Sequence, residues 1–216
     1  MPSISNIAGR LQDHWNEHGF FATLGLLGSK LLRYQITSVV DADLRTPLPP
    51  VEWVRERVLI VDRDNVDSVL GPSERSFLAG ADELIHGVRS GDRLFLVADG
   101  EEYLHRSYVM MSASNGKKLI GEAAETPLIG YAYTSAAARG RGLFRRALAA
   151  ELCYLQKLGF KRALFEFHPD NTPSKKGSEA AGFRFVKTVS VWTVMSLFAL
   201  QRAQTNNGTR WRLVFL

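Results

Sequence analysis

The spacing of apolar and polar positions changes most sharply between residues 126 and 159. Leu128, Ile129, Tyr131, Tyr133 and Thr134 make an uncharged run of apolar, aromatic and β-branched residues of one strand's length, which predicts a buried strand. From Leu143 the period becomes helical: Phe144, Leu148, Leu152 and Leu155 share one face, and Gly159 is placed to end the helix. A second apolar run at 163–167 predicts another buried strand, closed by Pro169, and 172–181 predicts a short helix stopping at Gly182.

The same pattern organises the rest of the chain. Two β-rich runs, 93–98 and 103–111, flank Asp99-Gly100, a favoured tight-turn dipeptide, and predict a hairpin. Residues 58–61 read as a short strand, 65–70 and 74–88 as helical, and 183–186, 189–197 and 211–215 as strands. Residues 3–33 read as two helical segments, the second carrying Phe20, Phe21, Leu24, Leu27, Leu31 and Leu32 largely on one side. After a short strand at 35–40, Pro47, Pro49 and Pro50 mark a linker. The expected organisation is therefore an appendage of amphipathic helices and proline-rich linker over 1–50 and a main domain over 51–216.

Composition narrows the class without naming it. With 216 residues, 45% hydrophobic and 23% charged, the chain suits one packed domain plus an appendage. The net charge of +5 favours anionic ligands, but it is spread over several segments, so nucleic acid is not indicated. The single Cys153 excludes an intramolecular disulfide and a cysteine-rich zinc site, which suits a reducing cytoplasm, and no metal site is expected. The uncharged run 19–29 is too short to span a bilayer, and Asp13 and Glu17 before it are unlike a signal peptide, so a cytoplasmic location is expected. The basic residues of the N-terminal helices leave three partners open: the domain itself, a second copy of the chain in a homodimer, or a membrane surface contacted peripherally.

Candidate chemistry lies between the strand and the helix, at Arg139-Gly140-Arg141-Gly142. First-turn helix amides lack intrahelical acceptors and the dipole is positive there, so an anion is favoured. Gly140 and Gly142 let successive amides converge on one phosphate, and Arg139, Arg141, Arg145 and Arg146 add charge. Taken alone, the motif reads equally well as a solvated basic loop.

The order of elements and two motifs resemble the GNAT family of acyl-CoA N-acyltransferases over roughly residues 57–197. The family's turn has the form Gln/Arg-x-x-Gly-x-Gly/Ala. Arg139 and Gly142 fit it, whereas Phe144 departs, and its bulk is expected to narrow the approach of the helix start to a pyrophosphate. The family's Asn followed by Gly-Phe after a short helix is matched by Asn171, with Gly182 and Phe183 eleven and twelve residues later.

The resemblance implies an α/β (α+β) fold: a GNAT-like mixed, mostly antiparallel central sheet flanked by helices, here with an N-terminal helical appendage. It implies acetyl-CoA or another acyl-CoA as cofactor. The pantetheine arm would lie along Tyr133, Thr134 and Ser135, the pyrophosphate on the amides of Gly140, Arg141, Gly142, Leu143 and Phe144, and Asn171 would position the arm from the far side. Asn171 also reads as a turn residue after Pro169.

Transfer to an amine needs a base, an oxyanion donor and an acid. The resemblance points to a backbone N–H near Thr134 for the oxyanion. Tyr133, His168 and Glu125 are the leading side-chain candidates, with Glu122, Glu166, His105 and Tyr131 as others. Ser178 stands where many members carry an acid Tyr, so another group or water must serve. The expected function is acyl transfer to the primary amine of a small molecule or an amino-sugar or glycan precursor; the alternative is a non-catalytic acyl-CoA-binding module acting through the N-terminal helices.

Overall fold

A computed structural model describes residues 32–71, 76–78, 81–111, 122–123, 125–194 and 198–215. The predicted N-terminal helices lie outside the described residues, apart from the end of the second helix. The strands are β1 (Leu32–Asp43), β2 (Arg57–Val61), β3 (Arg93–Asp99), β4 (Glu102–Met110), β5 (Leu128–Thr134), β6 (Arg162–Phe167), β7 (Arg184–Val194), β8 (Phe198–Thr205) and β9 (Gly208–Phe215). The helices are α1 (Val66–Val69), α2 (Ala81–Arg89), α3 (Leu143–Lys157) and α4 (Thr172–Ala180). The fold is mixed α+β with a large, mostly antiparallel sheet. None of the described helices is long and apolar enough to cross a membrane.

The chain divides into two compact units. The larger holds Ile36–Val189 and Ala203–Arg210, and within it the strands follow the order β2-β3-β4-β5-β6-β1-β7. The smaller includes the chain up to Gln35, Ser190–Arg202 and the chain from Trp211. Within it Tyr34 and Trp192 pack at 5.3 Å, Trp192 stacks on Trp211 at 5.9 Å, and the Arg202 guanidinium lies 5.7 Å from the Trp211 ring.

Strand alternation sends β4 side chains to opposite faces, and each face finds its helix. Ser107 on one face meets Glu151 of α3. Tyr108 on the other meets α2, so closely that a Cβ at Gly87 would lie 1.8 Å from its hydroxyl oxygen. The apolar face of α3, with Leu148, Leu152 and Leu155, packs into a core with Phe95, Val109, Ile129 and Phe165. The helix also forms the crossover that makes β5 and β6 parallel.

The prolines do not detach the segment before them. Ser38 to Asp43 of β1 pairs antiparallel with β6, from Ser38↔Phe167 to Asp43↔Arg162, and Val39, Val40 and Ala42 are buried. The stretch after β1 is fastened to α3 by Gln156, whose Nε2 donates to Leu44 O and to Thr46 O, each at 2.7 Å. A boundary at residue 50 would therefore cut a strand from its own sheet. The strands expected at 183–186 and 189–197 are one strand, β7. The residue that interrupts its apolar pattern, Lys187, is buried because its ammonium meets the Glu122 carboxylate. Of the helix expected over 74–88, Ser76 and Phe77 are helical and Ala81 onward forms α2, while 74–75 and 79–80 lie outside the described residues.

Candidate functional site

β5 departs from regular geometry in its middle. Its pairing with β4 runs Met110↔Leu128 to Tyr108↔Gly130, then resumes at Arg106↔Tyr133 and His105↔Thr134. Two β5 residues thus oppose Ser107, which is a β-bulge, and Tyr131 takes φ 52, a left-handed backbone unusual for an aromatic residue. The bulge shifts the alternation, so Tyr131 and Tyr133 both look to the α2 face. Tyr131 meets Tyr108 edge-on at 6.1 Å, while Tyr133 meets Phe77 at 5.9 Å and lies under the Arg106 guanidinium at 5.0 Å.

On its other side β5 pairs with β6 only at Leu128↔Leu164 and Ile129↔Phe165. Beyond Ile129 the two strands part. Ser135 N–H donates to Leu104 O on the β4 side, so by alternation the N–H groups of Thr134 and Ala132 face the opening. Thr134 O accepts from Arg139 Nε at 3.2 Å, which ties the strand end to the following turn.

That turn is a single 3-10 turn, Ala136–Ala138, followed by Gly140 at φ 78 and Gly142 at φ 70. Both glycines are left-handed with nothing near the position of a Cβ, so backbone conformation, and not crowding, requires them. Gly142 is the N-cap of α3 without a side-chain cap, and the first turn of helix bonds begins with Arg146 N–H to Gly142 O at 3.1 Å. The amides of Leu143, Phe144 and Arg145 precede that first bond.

The arginines divide into two groups. Arg139 and Arg145 are exposed, whereas Arg146 pairs with Glu56 at 2.8 Å and lies 5.0 Å from the Trp53 ring. Arg141 reaches Glu56 at 3.6 Å and Asp99 at 3.9 Å. The hydrogen bond from Arg146 pulls the Glu56 carboxyl down to about 2. Not all of the positive charge expected at the turn is therefore free for a ligand.

Leu143 and Phe144 turn their side chains inward: Leu143 is buried with Val97, Leu104 and Ala147, and the Phe144 ring sits 5.7 Å from Phe165 and 6.0 Å from His105. Phe144 thus offers the turn its amide and not its bulk, contrary to the narrowing expected from its departure from the motif. Splayed parallel strands that lead into a glycine turn at a helix N-terminus decide the architecture. The fold is GNAT-like.

No family model matches the chain, and no curated protein matches it. It is similar to solved structures of low identity. A GNAT-family acetyltransferase from Colwellia psychrerythraea is 14% identical, with a TM-score of 0.48 over 73% of this chain and 56% of the other. A GCN5-related N-acetyltransferase from Sphaerobacter thermophilus is 15% identical, with a TM-score of 0.48 over 81% and 56%. A GCN5-related N-acetyltransferase-like protein from Streptococcus suis is 11% identical, with a TM-score of 0.46 over 81% and 67%. The chain spans little more than half the length of the first two. The functional reading of this GNAT-like chain rests on its own strand opening and turn.

The candidate side chains separate clearly. Tyr133 lies on β5 at the opening, 41% exposed. Glu166 of β6 is there too: a Cβ on Gly130 would lie 3.5 Å from its Oε1, and Glu166 and Glu83 of α2 both act on Tyr131, whose hydroxyl burial and these carboxylates push up in pKa. Glu125 is exposed in the turn before β5, at the end of the strand where β5 and β6 are still paired, and is not brought to the opening. His168 follows β6 on the surface, where its Nδ1 accepts from Asp170 N–H at 3.3 Å.

Glu122 is held by Arg162 at 2.6 Å and by Lys187, a buried ion cluster away from the turn. Asn171 caps α4, its Oδ1 accepting from Ser174 N–H at 3.1 Å, which matches the turn reading of that residue. Ser178 is buried and donates to Lys175 O within its own helix. Phe77, Glu83, Arg106 and Glu56 escaped the sequence reading, because each acts through a neighbour remote in the chain and none belongs to a motif.

Proposed function

We propose that this chain is an acyl-CoA-dependent N-acyltransferase that moves an acetyl or longer acyl group to the primary amine of a small molecule, with amino-sugar or glycan precursors as the favoured class. The observation that carries the reading is the continuity of the open edge of β5, with inward-facing N–H groups at Ala132 and Thr134, into the two left-handed glycines at the start of α3. The edge suits an extended amide-bearing arm, and the uncapped helix start suits its pyrophosphate. A cavity of about 420 Å³ lined by Pro49, Pro50, Arg145, Ala149 and Ala181 adjoins the same helix and would be the place for the planar base of the nucleotide. Acyl-CoA supplies the activated thioester.

The protein's part follows from which groups face the opening. Glu166, beside Gly130, takes a proton from the acceptor ammonium, directly or through water. With acyl-CoA bound, backbone N–H groups of β5 would hold the oxyanion that develops on the thioester oxygen, and the proton shed by the amine nitrogen as its bond to carbon forms would pass, through Tyr133 or solvent, to the thiolate released as the carbon–sulfur bond breaks. The exposed rings of Tyr131 and Tyr133 give the acceptor an aromatic wall on the α2 face, apart from the α3 side.

Ser178 favours a second reading. With its hydroxyl turned into its own helix, Ser178 offers no acid to a thiolate, as expected of a non-catalytic acyl-CoA-binding module. Release of free thiol from acetyl-CoA across a panel of amines, together with calorimetric CoA binding, separates the two. Turnover with an amine supports the enzyme, and binding without turnover supports the module. A folded Gly142→Val protein is expected to bind CoA at least ~10-fold more weakly, since a branched residue is strained at φ 70. Unchanged affinity in that variant would remove the turn from the site.

A further inference from the structure

His105 is the one histidine in the described fold with a fully buried ring, and the proposed reaction leaves it without a role. It sits on β4 opposite Thr134, facing α3, with Nδ1 2.8 Å from Thr134 Oγ1 and the Phe144 ring on its other side. Its Nε2 is buried and meets no hydrogen-bond partner. Burial, then the nearby Arg106 charge, lowers its pKa to about 4, so the ring is neutral at physiological pH and one nitrogen carries the proton.

Which nitrogen follows from the orphan. A proton on Nε2 would leave a buried N–H with no acceptor, which is rarer and costlier than an unused lone pair. The proton therefore belongs on Nδ1, where it is donated to Thr134 Oγ1. An oxygen that accepts from His105 is free to give its own hydrogen elsewhere, and Thr134 is only half-buried, at the end of the open edge of β5. The backbone carbonyl of the same residue is already engaged by Arg139, so the hydroxyl and the N–H are its remaining polar groups toward that edge.

We infer that His105 is a positioning residue: by donating from Nδ1 it fixes the rotor of Thr134 so that the Thr134 hydroxyl donates to an amide carbonyl of the pantetheine arm of bound acyl-CoA. This rests on the acyl-CoA reading of the site, and it makes the buried pair a determinant of cofactor affinity. The acceptor amine, on the other face of the sheet, takes no part in it.

The test uses free CoA as the probe and the full chain. Thr134→Val keeps the shape and removes the hydroxyl, and His105→Leu keeps a buried apolar body and removes the donor. Each is expected to weaken CoA binding ~5–10-fold, the range of one hydrogen bond. The double variant is expected to be no weaker than the worse single, because both break one chain of bonds. Thr134→Ser and His105→Asn, which restore a hydroxyl and an amide donor, are expected to recover most of the affinity. A structural role alone would lower thermal stability without that rescue pattern. In the unmodified chain, nitrogen NMR of His105 is expected to show a protonated Nδ1 and a bare Nε2. The opposite tautomer, additive losses, or wild-type affinity in Thr134→Val would overturn the inference while leaving the acyl-CoA reading intact. Absence of CoA binding by the unmodified chain would overturn both.

Discussion

Gly177 of α4 is the seat of the Phe144 ring: a Cβ at that position would lie 2.4 Å from Phe144 Cδ1 and 2.5 Å from Cε1. A large residue at the start of α3 is thus matched by an absent side chain on α4, and the two helices meet through that pair. Helix propensity alone would reward Gly177→Ala by about 1 kcal/mol, but displacing a packed ring costs about 1–3 kcal/mol. Gly177→Ala is therefore expected to lower stability on balance, and adding Phe144→Leu to recover it. Urea denaturation of the two single variants and the double variant measures the coupling, and purely additive effects would show that the contact does not bear on stability.

Local and distant features were not equally legible in the sequence. The strand at 128–134, the glycine turn and α3 could be read because their signals lie within one run of chain. The bulge at Tyr131 could not, since it arises from pairing with a strand some twenty residues earlier and leaves no mark in the apolar pattern. For the same reason the sequence alone shows the bulk of Phe144 as a narrowing of the turn, when its meaning depends on Gly177. The place of β1 was hidden by distance, because its partner β6 lies more than a hundred residues later and the intervening prolines imitate a boundary.

The assignment of the base gives a second expectation. Glu166→Gln keeps the shape of the side chain and removes its proton affinity, so kcat should fall ~10²–10³-fold while CoA affinity stays near that of the unmodified chain. Glu125→Gln, exposed at the paired end of β5, should change neither. Steady-state thiol release with one acceptor decides between them. Near-normal turnover in Glu166→Gln would return the role to another group or to water.

Two buried groups set opposing pH limbs of stability. Burial pushes the Glu151 carboxyl from 4.5 up to about 8, with the Ser107 hydrogen bond acting against it. The folded chain therefore keeps a proton that the unfolded chain releases, and this contribution is full below 4.5 and is lost as pH rises to about 8. His105, lowered from 6.5 to about 4, does the reverse: its contribution is present above 6.5 and is lost as pH falls to about 4. Glu56, pulled from 4.5 to about 2, adds a further loss below 4.5. Between 6.5 and 8 only Glu151 of these three binds a different number of protons in the folded and unfolded chain, so stability should decline there. Glu151→Gln, which can still accept from Ser107, should flatten that decline. Denaturation midpoints at intervals across this range read the slope, and an unchanged slope in the variant would refute the assignment.

The place of β1 reverses what the prolines suggest about deletions. A chain beginning at Val51 would lose the strand that hydrogen-bonds β6 from Ser38 to Asp43 and would remove Val39, Val40, Ala42 and Leu44, all nearly or wholly buried. It would also strip from α3 the backbone carbonyls that Gln156 binds. Burying each such aliphatic side chain is worth about 1.5–3 kcal/mol, so losing several together approaches the whole stability of a domain, about 5–15 kcal/mol. That deletion is expected to leave an unfolded or aggregated product. A chain lacking only residues 1–31 retains all of β1, and it is expected to remain folded and to bind CoA. Circular dichroism melting and CoA calorimetry on the two deletions supply the comparison. A cooperative, CoA-binding product from the longer deletion would show that another segment can take the position of β1 beside β6.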